Sequence, residues 1–565
     1  MPCAGFQLDK PNEFQNMSFT TDPRFDFARN KIDAINDENY TSVLDLFERA
    51  CSEFAERIAF TCMGQDVTFR EIDEMSARFA AYLRGDAGLA HGDRVAIQLP
   101  NLIQYPVAAW GILRAGLVLV NTNPLYTERE LRHQFQDSGA KAVVMLSDFV
   151  AAAEKVIPDT DIKLLIATNA LDMMEAQPAP VHNLEKSVTL VTLPTAISIG
   201  VSADKDFPQE RLPQVRPTVN DLAVLQYTGG TTGVAKGAML SHGNIIACVA
   251  QSRKHLAADE GEQLSGLLIA PLPIYHIFGF SLYLCGNFAS GGRSVLIPNA
   301  RDLDGLLDVM KSVPFTGFAG VNTMLVGLMA NEKFDDVDWS NLRWTIAGGA
   351  ALVPDVAHEW ERRTDSRLIE GYGLSETTAN LTLNVPSTRR IGSVGKPVGF
   401  QEIKLMDGSG KEVTGGEEGE LWVRGPQVMM GYWERPEATD EAIDAEGFFK
   451  TGDVAIKLDD GFYKIVDRIK DMILVSGFNV YPNEIENVIC SHPDVLECAV
   501  VGVKDERSGE AVKAFVVCRN RDLAEAELRE VCRQNLTAYK VPRFIEFREE
   551  LPKSNVGKIL RRELR

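Results

Sequence analysis

"LQYTGGTTGVAKGAML" spans residues 225–240. The apolar run that leads into it reads as a buried strand, and a helix is expected to begin after Ser241. Between them lies a loop of small and hydroxylated residues. Gly229, Gly230 and Gly233 let backbone N–H groups converge on an anion. Thr228, Thr231 and Thr232 add hydroxyl donors, and Lys236 adds a charge. A Walker loop requires lysine directly after its last glycine. Here Val234 and Ala235 separate Gly233 from Lys236, and Gly237 follows. The Walker class is excluded, which leaves a phosphate loop of another kind or a polar turn.

Outward from this loop, strand-like and helix-like segments alternate. In "VTFREIDEMSARFAAYL" (67–83), Thr68 and Glu71 form a capping box, and Ile72, Met75, Phe79 and Tyr82 mark one helical face. "YTERELRHQFQDSG" (126–139) repeats that signature with Thr127, Glu130 and a terminal Gly139. "RVAIQLP", "AVVML", "LLIAT", "WTIAGG" and "RLIEGYG" read as short buried strands. The alternation predicts parallel sheets covered by helices. Residues 170–220, with scattered prolines and weak periodicity, read as a surface excursion. Near residue 391 short alternating runs between glycine turns give a hairpin and small-barrel texture. A compact unit of strands and helices follows a polar stretch at 466–471. The expected class is α/β: a large N-terminal part of parallel sheets with a small-barrel texture at its end, followed past the polar stretch by a small α+β unit.

The chain has 565 residues and a net charge of −21, which argues against general nucleic-acid binding. Residues 533–565 run the other way, with nine Lys/Arg against four Asp/Glu. They read either as a solvated basic tail or as cations that serve anionic ligands. Nine cysteines without a CxxC pair, and histidines without HxxxH spacing, argue against a disulfide framework or a zinc site. No basic-then-apolar signal opens the chain, and "YPVAAWGILRAGLVLV" (105–120), which carries Arg114, reads as a buried helix and strand. The expected location is cytoplasmic.

Three further clusters carry chemistry. "IEGYGLSETT" (369–378) offers a ring at Tyr372, a hydroxyl at Ser375 and a carboxylate at Glu376 suited to Mg²⁺. It lacks the third glycine of a dinucleotide fingerprint. "FFKTGDVA" (448–455) supplies Asp453, a natural partner for ribose hydroxyls. "LPKSNVGKILRRELR" places Lys558 behind Gly557 in a small-residue loop. Each alone is equally a loop or a tail.

Taken in this order, with "DRIKDMILVSGFNVYPNEIE" before the last, the motifs resemble the adenylate-forming superfamily of acyl-CoA synthetases, luciferases and adenylation domains. The likeness runs from about Tyr40 to Arg562 and is strongest toward the bacterial long-chain fatty-acid–CoA ligase branch. It implies that Thr228, Gly229, Gly230, Thr231, Thr232, Gly233 and Lys236 orient the β- and γ-phosphates of ATP. "AGGAAL" (347–352) is similar to the adenine loop, which assigns Gly348, Gly349 and Ala350. Glu370, Gly371, Tyr372, Gly373 and Ser375 would line the nucleotide, with Tyr372 on adenine and Ser375 at the α-phosphate. Glu376 would hold Mg²⁺, and Asp453 and Arg468 the ribose.

The resemblance also implies a large N-terminal domain (1–466) of two parallel α/β subdomains plus a small β-barrel, a hinge at 467–471 with Lys470 as its pivot, and a small mobile α+β C-terminal domain (472–565), whose Lys558 would bridge the attacking carboxylate and ATP. Ser476, Gly477, Phe478 and Asn479 would swing in beside the CoA channel for the second half-reaction. "PLPIYHIFGF" (271–280) resembles the gate of the acyl pocket, with His276 near the reacting carboxylate, and Gly320 leaves room for an alkyl chain. The resemblance implies a medium- to long-chain fatty-acid–CoA ligase using fatty acid, ATP and CoA with Mg²⁺. Peripheral association with the inner membrane face and a homodimer are compatible with it. Three alternatives stay open: a ligase for an aryl, short-chain or dicarboxylic acid, transfer to a carrier protein, and a non-catalytic acyl-nucleotide sensor. The joint presence of Glu376, Asp453 and Lys558 weighs against the last.

Overall fold

The computed structural model describes residues 22–35, 39–173, 182–184, 188–199, 216–228, 234–260, 265–520, 522–554 and 557–565. Two mainly parallel sheets form the larger part. In the first, the strands Leu222–Thr228, Val118–Asn121, Arg94–Gln98, Ala142–Leu146, Leu164–Thr168 and Val188–Thr192 lie side by side in parallel. In the second, Arg367–Tyr372, Trp344–Ala347, Gly317–Gly320, Leu267–Ala270, Arg293–Leu296 and Ile58–Cys62 do the same. Short antiparallel strands finish the edges of both sheets. The covered faces explain why these strands read as continuous apolar runs.

The helices follow their local signals. Phe69–Arg84 starts on a capping box between Thr68 and Glu71. Glu128–Ser138 starts on the Thr127–Glu130 box and ends at Gly139, whose φ of +58° is the left-handed cap that glycine adopts without strain. The apolar 105–120 stretch becomes the helix Gln104–Arg114 and the strand Val118–Asn121, both buried. Among the described residues, no helix is long and apolar enough to cross a membrane.

An aromatic cluster joins the two sheets. Trp110 lies with its ring 4.5 Å from Phe47 and 5.8 Å from Phe288, and Phe288 lies 4.4 Å from Phe69 and 5.8 Å from Phe60. Trp110 is fully buried, so truncating it to alanine is expected to cost about 3–5 kcal/mol.

Three expectations need correction. The surface excursion at 170–220 contributes to the fold where it is described: Val188–Thr192 extends the first sheet, and Leu193, Ala196 and Ile197 are buried in the main core. The prolines that hid this strand lie beside it, not in it. The stretch before the helix at His242 is also a strand, Lys236–Ser241, paired antiparallel with Leu222–Thr228. Gly237 permits that pairing, because a Cβ there would sit 3.1 Å from the Tyr227 ring. Finally, the barrel texture resolves into a four-stranded antiparallel meander of Glu402–Met406, Glu418–Arg424, Phe449–Lys457 and Tyr463–Arg468. Its first and last strands do not pair, so among the described residues the sheet stays open.

The C-terminal part is a separate sheet. Val495–Asp505 and Gly509–Cys518 form a long hairpin, flanked by Ile473–Val475, Phe478–Val480 and the parallel Phe544–Phe547. The helices Pro482–Cys490 and Glu525–Asn535 bury Ile485, Ile489, Leu528 and Cys532 in a core of its own.

Candidate functional site

A cavity of about 2070 Å³ opens where the carboxyl ends of the parallel strands meet the meander and the C-terminal sheet. Thr228, Glu370 to Tyr372 and the loop after Ala347 all lie at strand ends and line it. That is where open parallel sheets present loop backbone and side chains to ligands.

One wall is a set of mutually bonded polar groups. Tyr372 donates its hydroxyl to Asp453 Oδ2 at 2.6 Å. Asp453 stands opposite Arg468 in the register of two meander strands, and its Oδ1 lies 3.1 Å from Arg468 Nε. Asp453 is 2% exposed, so these partners are what keep its charge inside. Burial, with the Asp453 charge beside it, raises the Tyr372 phenol well above its ordinary range. The loop that carries Tyr372 turns sharply. A Cβ on Gly373 would fall 1.5 Å from the Ala379 carbonyl, so only glycine fits.

Glu376 is buried, and burial raises its carboxyl above the usual range. Its Oε1 accepts the Tyr432 hydroxyl at 2.9 Å. The Lys236 ammonium lies 4.9 Å from the centre of the same Tyr432 ring. Tyr432 therefore joins the lysine of the 225–240 stretch to the acidic group of the 369–378 stretch. The segment that bears it is fixed by ladder bonds, with Met239 N–H donating to Gly431 at 2.9 Å and Trp433 N–H to Gly237 at 2.8 Å. The sequence reading missed Tyr432. Its local signal was the "GYWERPEAT" run after residue 430, which carries no chemistry of its own.

Glu370 also lines the cavity, where burial pushes its carboxyl up to about 8 and Gly392 N–H donates to it at 2.9 Å. His276 accepts the Phe278 N–H on Nδ1 at 3.3 Å, capping a short helical turn. Burial, and then the Lys558 charge, push this imidazole down to about 4. Near neutral pH the ring is uncharged, and because Nδ1 accepts, its proton sits on Nε2 as a donor. Gly348, Gly349, Ala350 and Ser375 line the cavity as expected from their motifs. Gly320 does not: it faces Phe318 and Met324, and the neighbouring Val321 to Thr323 form the wall instead.

The opposite wall comes from the C-terminal part. Lys558 reaches into the cavity, and its ammonium makes no ion pair among the described residues. Burial, and then the Arg468 guanidinium, push it down to about 8. Thr323 donates its hydroxyl to the Gly557 carbonyl at 3.2 Å, which seats the loop just before Lys558. The other cations of the basic tail are largely neutralised at home. Arg561 pairs with Glu486, Lys540 with Glu484, Lys553 with Glu497 and Arg565 with Asp471.

Lys470 lies in the turn Ile469–Asp471 and its side chain also lines the cavity. Ser476, Gly477 and Phe478 are not brought to it. Phe478 is 56% exposed and stacks on Tyr539 with ring centres 4.8 Å apart, while Asn479 touches the cavity edge. Gly229, Gly230, Thr231, Thr232 and Gly233 lie outside the described residues.

The chemistry of the donors fits a small hard cation held mainly by a nucleotide. Among the described residues there is no group of three or more metal-ligating side chains. Glu376 is one carboxylate joined through Tyr432 to Lys236, a donor set that suits Mg²⁺ shared between a protein oxygen and phosphate oxygens.

Residues 47–433 match the family model of the AMP-binding enzyme, and residues 484–558 that of the AMP-binding enzyme C-terminal domain. The chain is 48% identical to a long-chain-fatty-acid–CoA ligase of Yersinia pestis, over 94% of this chain and 95% of that protein. It is 47% identical to the protein of that name from Escherichia coli O157:H7, with the same coverage. Among solved structures, an anthranilate CoA ligase in complex with anthranoyl-AMP superposes with a TM-score of 0.82 at 26% identity, over 93% of this chain and 96% of that one.

Proposed function

The chain belongs to the AMP-binding enzyme family, and from that premise we propose that it is an ATP-dependent fatty-acid–CoA ligase for medium- to long-chain acids. The fatty-acid carboxylate attacks the α-phosphorus of ATP, the bond to the bridging β-phosphate oxygen breaks, and pyrophosphate leaves. The CoA thiol then loses its proton and attacks the acyl carbonyl, and AMP leaves. The observation that carries this reading is the Lys558 ammonium, without an ion pair among the described residues, in the same cavity as Lys236, Tyr372, Glu376 and Asp453.

Two anions repel as the carboxylate nears the phosphate. A cation between them stabilises the charge that develops on the equatorial oxygens. Lys558 is that cation, and its lowered pKa leaves it charged below about 8. Tyr372 offers its face to adenine and Asp453 accepts from the ribose hydroxyls. Thr228 and Lys236, with the glycines between them, hold the β- and γ-phosphates. Glu376, oriented by Tyr432, would hold Mg²⁺, which supplies charge neutralisation of the phosphates. The His276 Nε2–H donates to the fatty-acid carboxylate and orients it.

Lys558 enters the cavity in this pose while Ser476, Gly477 and Phe478 do not, so that segment would serve a second pose. The chain in hand has Lys558 at the cavity and Phe478 in solvent, the pose for acyl-AMP formation. Rotation about Lys470, at the boundary between residues 1–466 and 472–565, exchanges them for the thiol step. The test is AMP release by purified protein with ATP, CoA and acids from acetate to oleate, with benzoates alongside. Highest kcat/KM between about C8 and C18 is expected. A maximum at acetate, at benzoate or at a dicarboxylate would overturn the substrate class, and no AMP release with any acid would overturn the activity.

A further inference from the structure

The helix Pro482–Cys490 is the first helix of the C-terminal part, and Pro482 occupies its first position. Its N-cap residue, Tyr481, supplies no side-chain bond to the exposed N–H groups of the first turn. That deficit is met from outside. Asp467, at the end of the last meander strand, accepts the Asn483 N–H on Oδ2 at 2.8 Å, and Asn483 Nδ2 donates to the Val466 carbonyl at 3.1 Å. Asp467 Oδ1 accepts the Arg468 N–H at 2.8 Å and lies 3.8 Å from Arg561 Nη1. The carboxylate is 1% exposed.

We infer that Asp467 is a positioning residue for acyl-AMP formation: it caps the helix Pro482–Cys490 across the hinge and so seats the domain that carries Lys558. The inference rests on the two-pose reading of Lys470 and Lys558 given above. Three features support it. The capped helix is linked to Lys558 by a short stiff path, since Glu486 on that helix accepts from Arg561 Nη2 at 2.7 Å and Nε at 3.1 Å, three residues beyond Lys558. The Lys558 loop is itself closed, with Ser554 N–H donating to the Lys558 carbonyl at 2.7 Å and Lys558 N–H to Ser554 Oγ at 3.1 Å.

Alternation along the strand Tyr463–Arg468 then sends neighbouring side chains to opposite faces. Arg468 meets Asp453 while Asp467 meets the helix. One strand end therefore sets the nucleotide wall and the pose of the moving domain together. Finally, the latch is releasable. Arg561 keeps Glu486 and the Asn483 Oδ1, 2.6 Å away, when the domain turns, because all three belong to it. Asp467 then returns to water, and burial in the docked pose, which pushes its carboxyl up to about 6, is relieved.

The test measures the two half-reactions separately by single turnover: acyl-AMP formation from a fatty acid and MgATP, and CoA transfer from supplied acyl-AMP. Asp467→Ala is expected to slow the first about tenfold, the size that loss of one capping carboxylate gives, and to leave the second unchanged or faster. If Asp467→Ala does not fold, Asp467→Asn, which keeps the shape and one acceptor, decides with about a threefold split. A purely structural role would lower the melting temperature and slow both steps alike. Equal slowing of both steps, or no change in either, would overturn the inference. Lys470→Pro and Lys558→Ala run beside it. If those variants split the half-reactions and the Asp467 variants do not, the latch alone fails. If none splits them, the two-pose reading fails instead.

Discussion

On one wall of the cavity Tyr372, Asp453 and Arg468 hold one another, and Tyr432 ties Glu376 to Lys236. On the other, Lys558 lines the cavity with no ion pair among the described residues, on a part of the chain that polar bonds join across the boundary. These include Tyr481 to Glu418 at 2.8 Å, Asn483 to Asp467 and Thr323 to Gly557. The first wall is bonded within one part of the chain. The second is carried by the C-terminal part and meets the first across a boundary. On the proposed two-pose reading, the contrast assigns recognition of the nucleotide and timing of the chemistry to different parts of the chain.

The sharpest way to break the comparison is Lys558→Ala. Acyl-AMP formation should fall about 10²- to 10³-fold, as for removal of one preorganised charge partner of a transition state. CoA transfer from supplied acyl-AMP should hold within about twofold, since in the proposed second pose Lys558 is away from the site. Equal loss in both steps would put Lys558 on the permanent wall instead.

Next in size is Lys470→Pro, which fixes φ near −65° and removes one N–H at the turn Ile469–Asp471. CoA transfer should slow at least about tenfold more than acyl-AMP formation, because the turn can no longer exchange poses. Half-reactions left in their original ratio would place the pivot elsewhere.

Tyr432→Phe probes the permanent wall. It removes the hydroxyl on Glu376 and keeps the ring beneath Lys236. The Mg²⁺ concentration for half-maximal acyl-AMP formation should rise about tenfold, with the melting temperature and CoA transfer unaffected. An unchanged Mg²⁺ dependence would show that Tyr432 only fills space.

The smallest effect is a pH profile. Burial and Arg468 lower Lys558 to about 8, so its ammonium form prevails below that pH and is lost above it. Single-turnover acyl-AMP formation should be level between about pH 6 and 7 and halved near pH 8, whereas CoA transfer should show no such loss at the alkaline end. A profile that is flat to pH 10 would mean that the ammonium is not needed in that step.

Much of this architecture was legible in the residues. The boxes at Thr68–Glu71 and Thr127–Glu130 predicted their helix starts because a cap is a bond between residues three apart. The apolar runs predicted the parallel strands because both faces of those strands are covered. The strand Val188–Thr192 carries β-branched residues but escaped because prolines and weak periodicity surround it, and Lys236–Ser241 escaped because it has no strand pattern until its neighbour in the sheet is known. The meander looked like a barrel for the same reason: closure is a matter of which edges meet, and hairpin texture does not encode it.

By itself, the sequence determined the class of fold, the family resemblance and the identity of the groups that gather at strand ends, because local bonding and periodicity need only nearby residues. Tertiary structure decided what no window of the chain could hold. It brought Tyr432 onto Glu376, 56 positions away, and Thr323 onto Gly557, 234 positions away. It also gave the helix Pro482–Cys490 a cap from Asp467, outside its own domain. Such contacts follow from strand order and domain docking, where the free energy of a bond depends on the place the whole fold gives to its two ends.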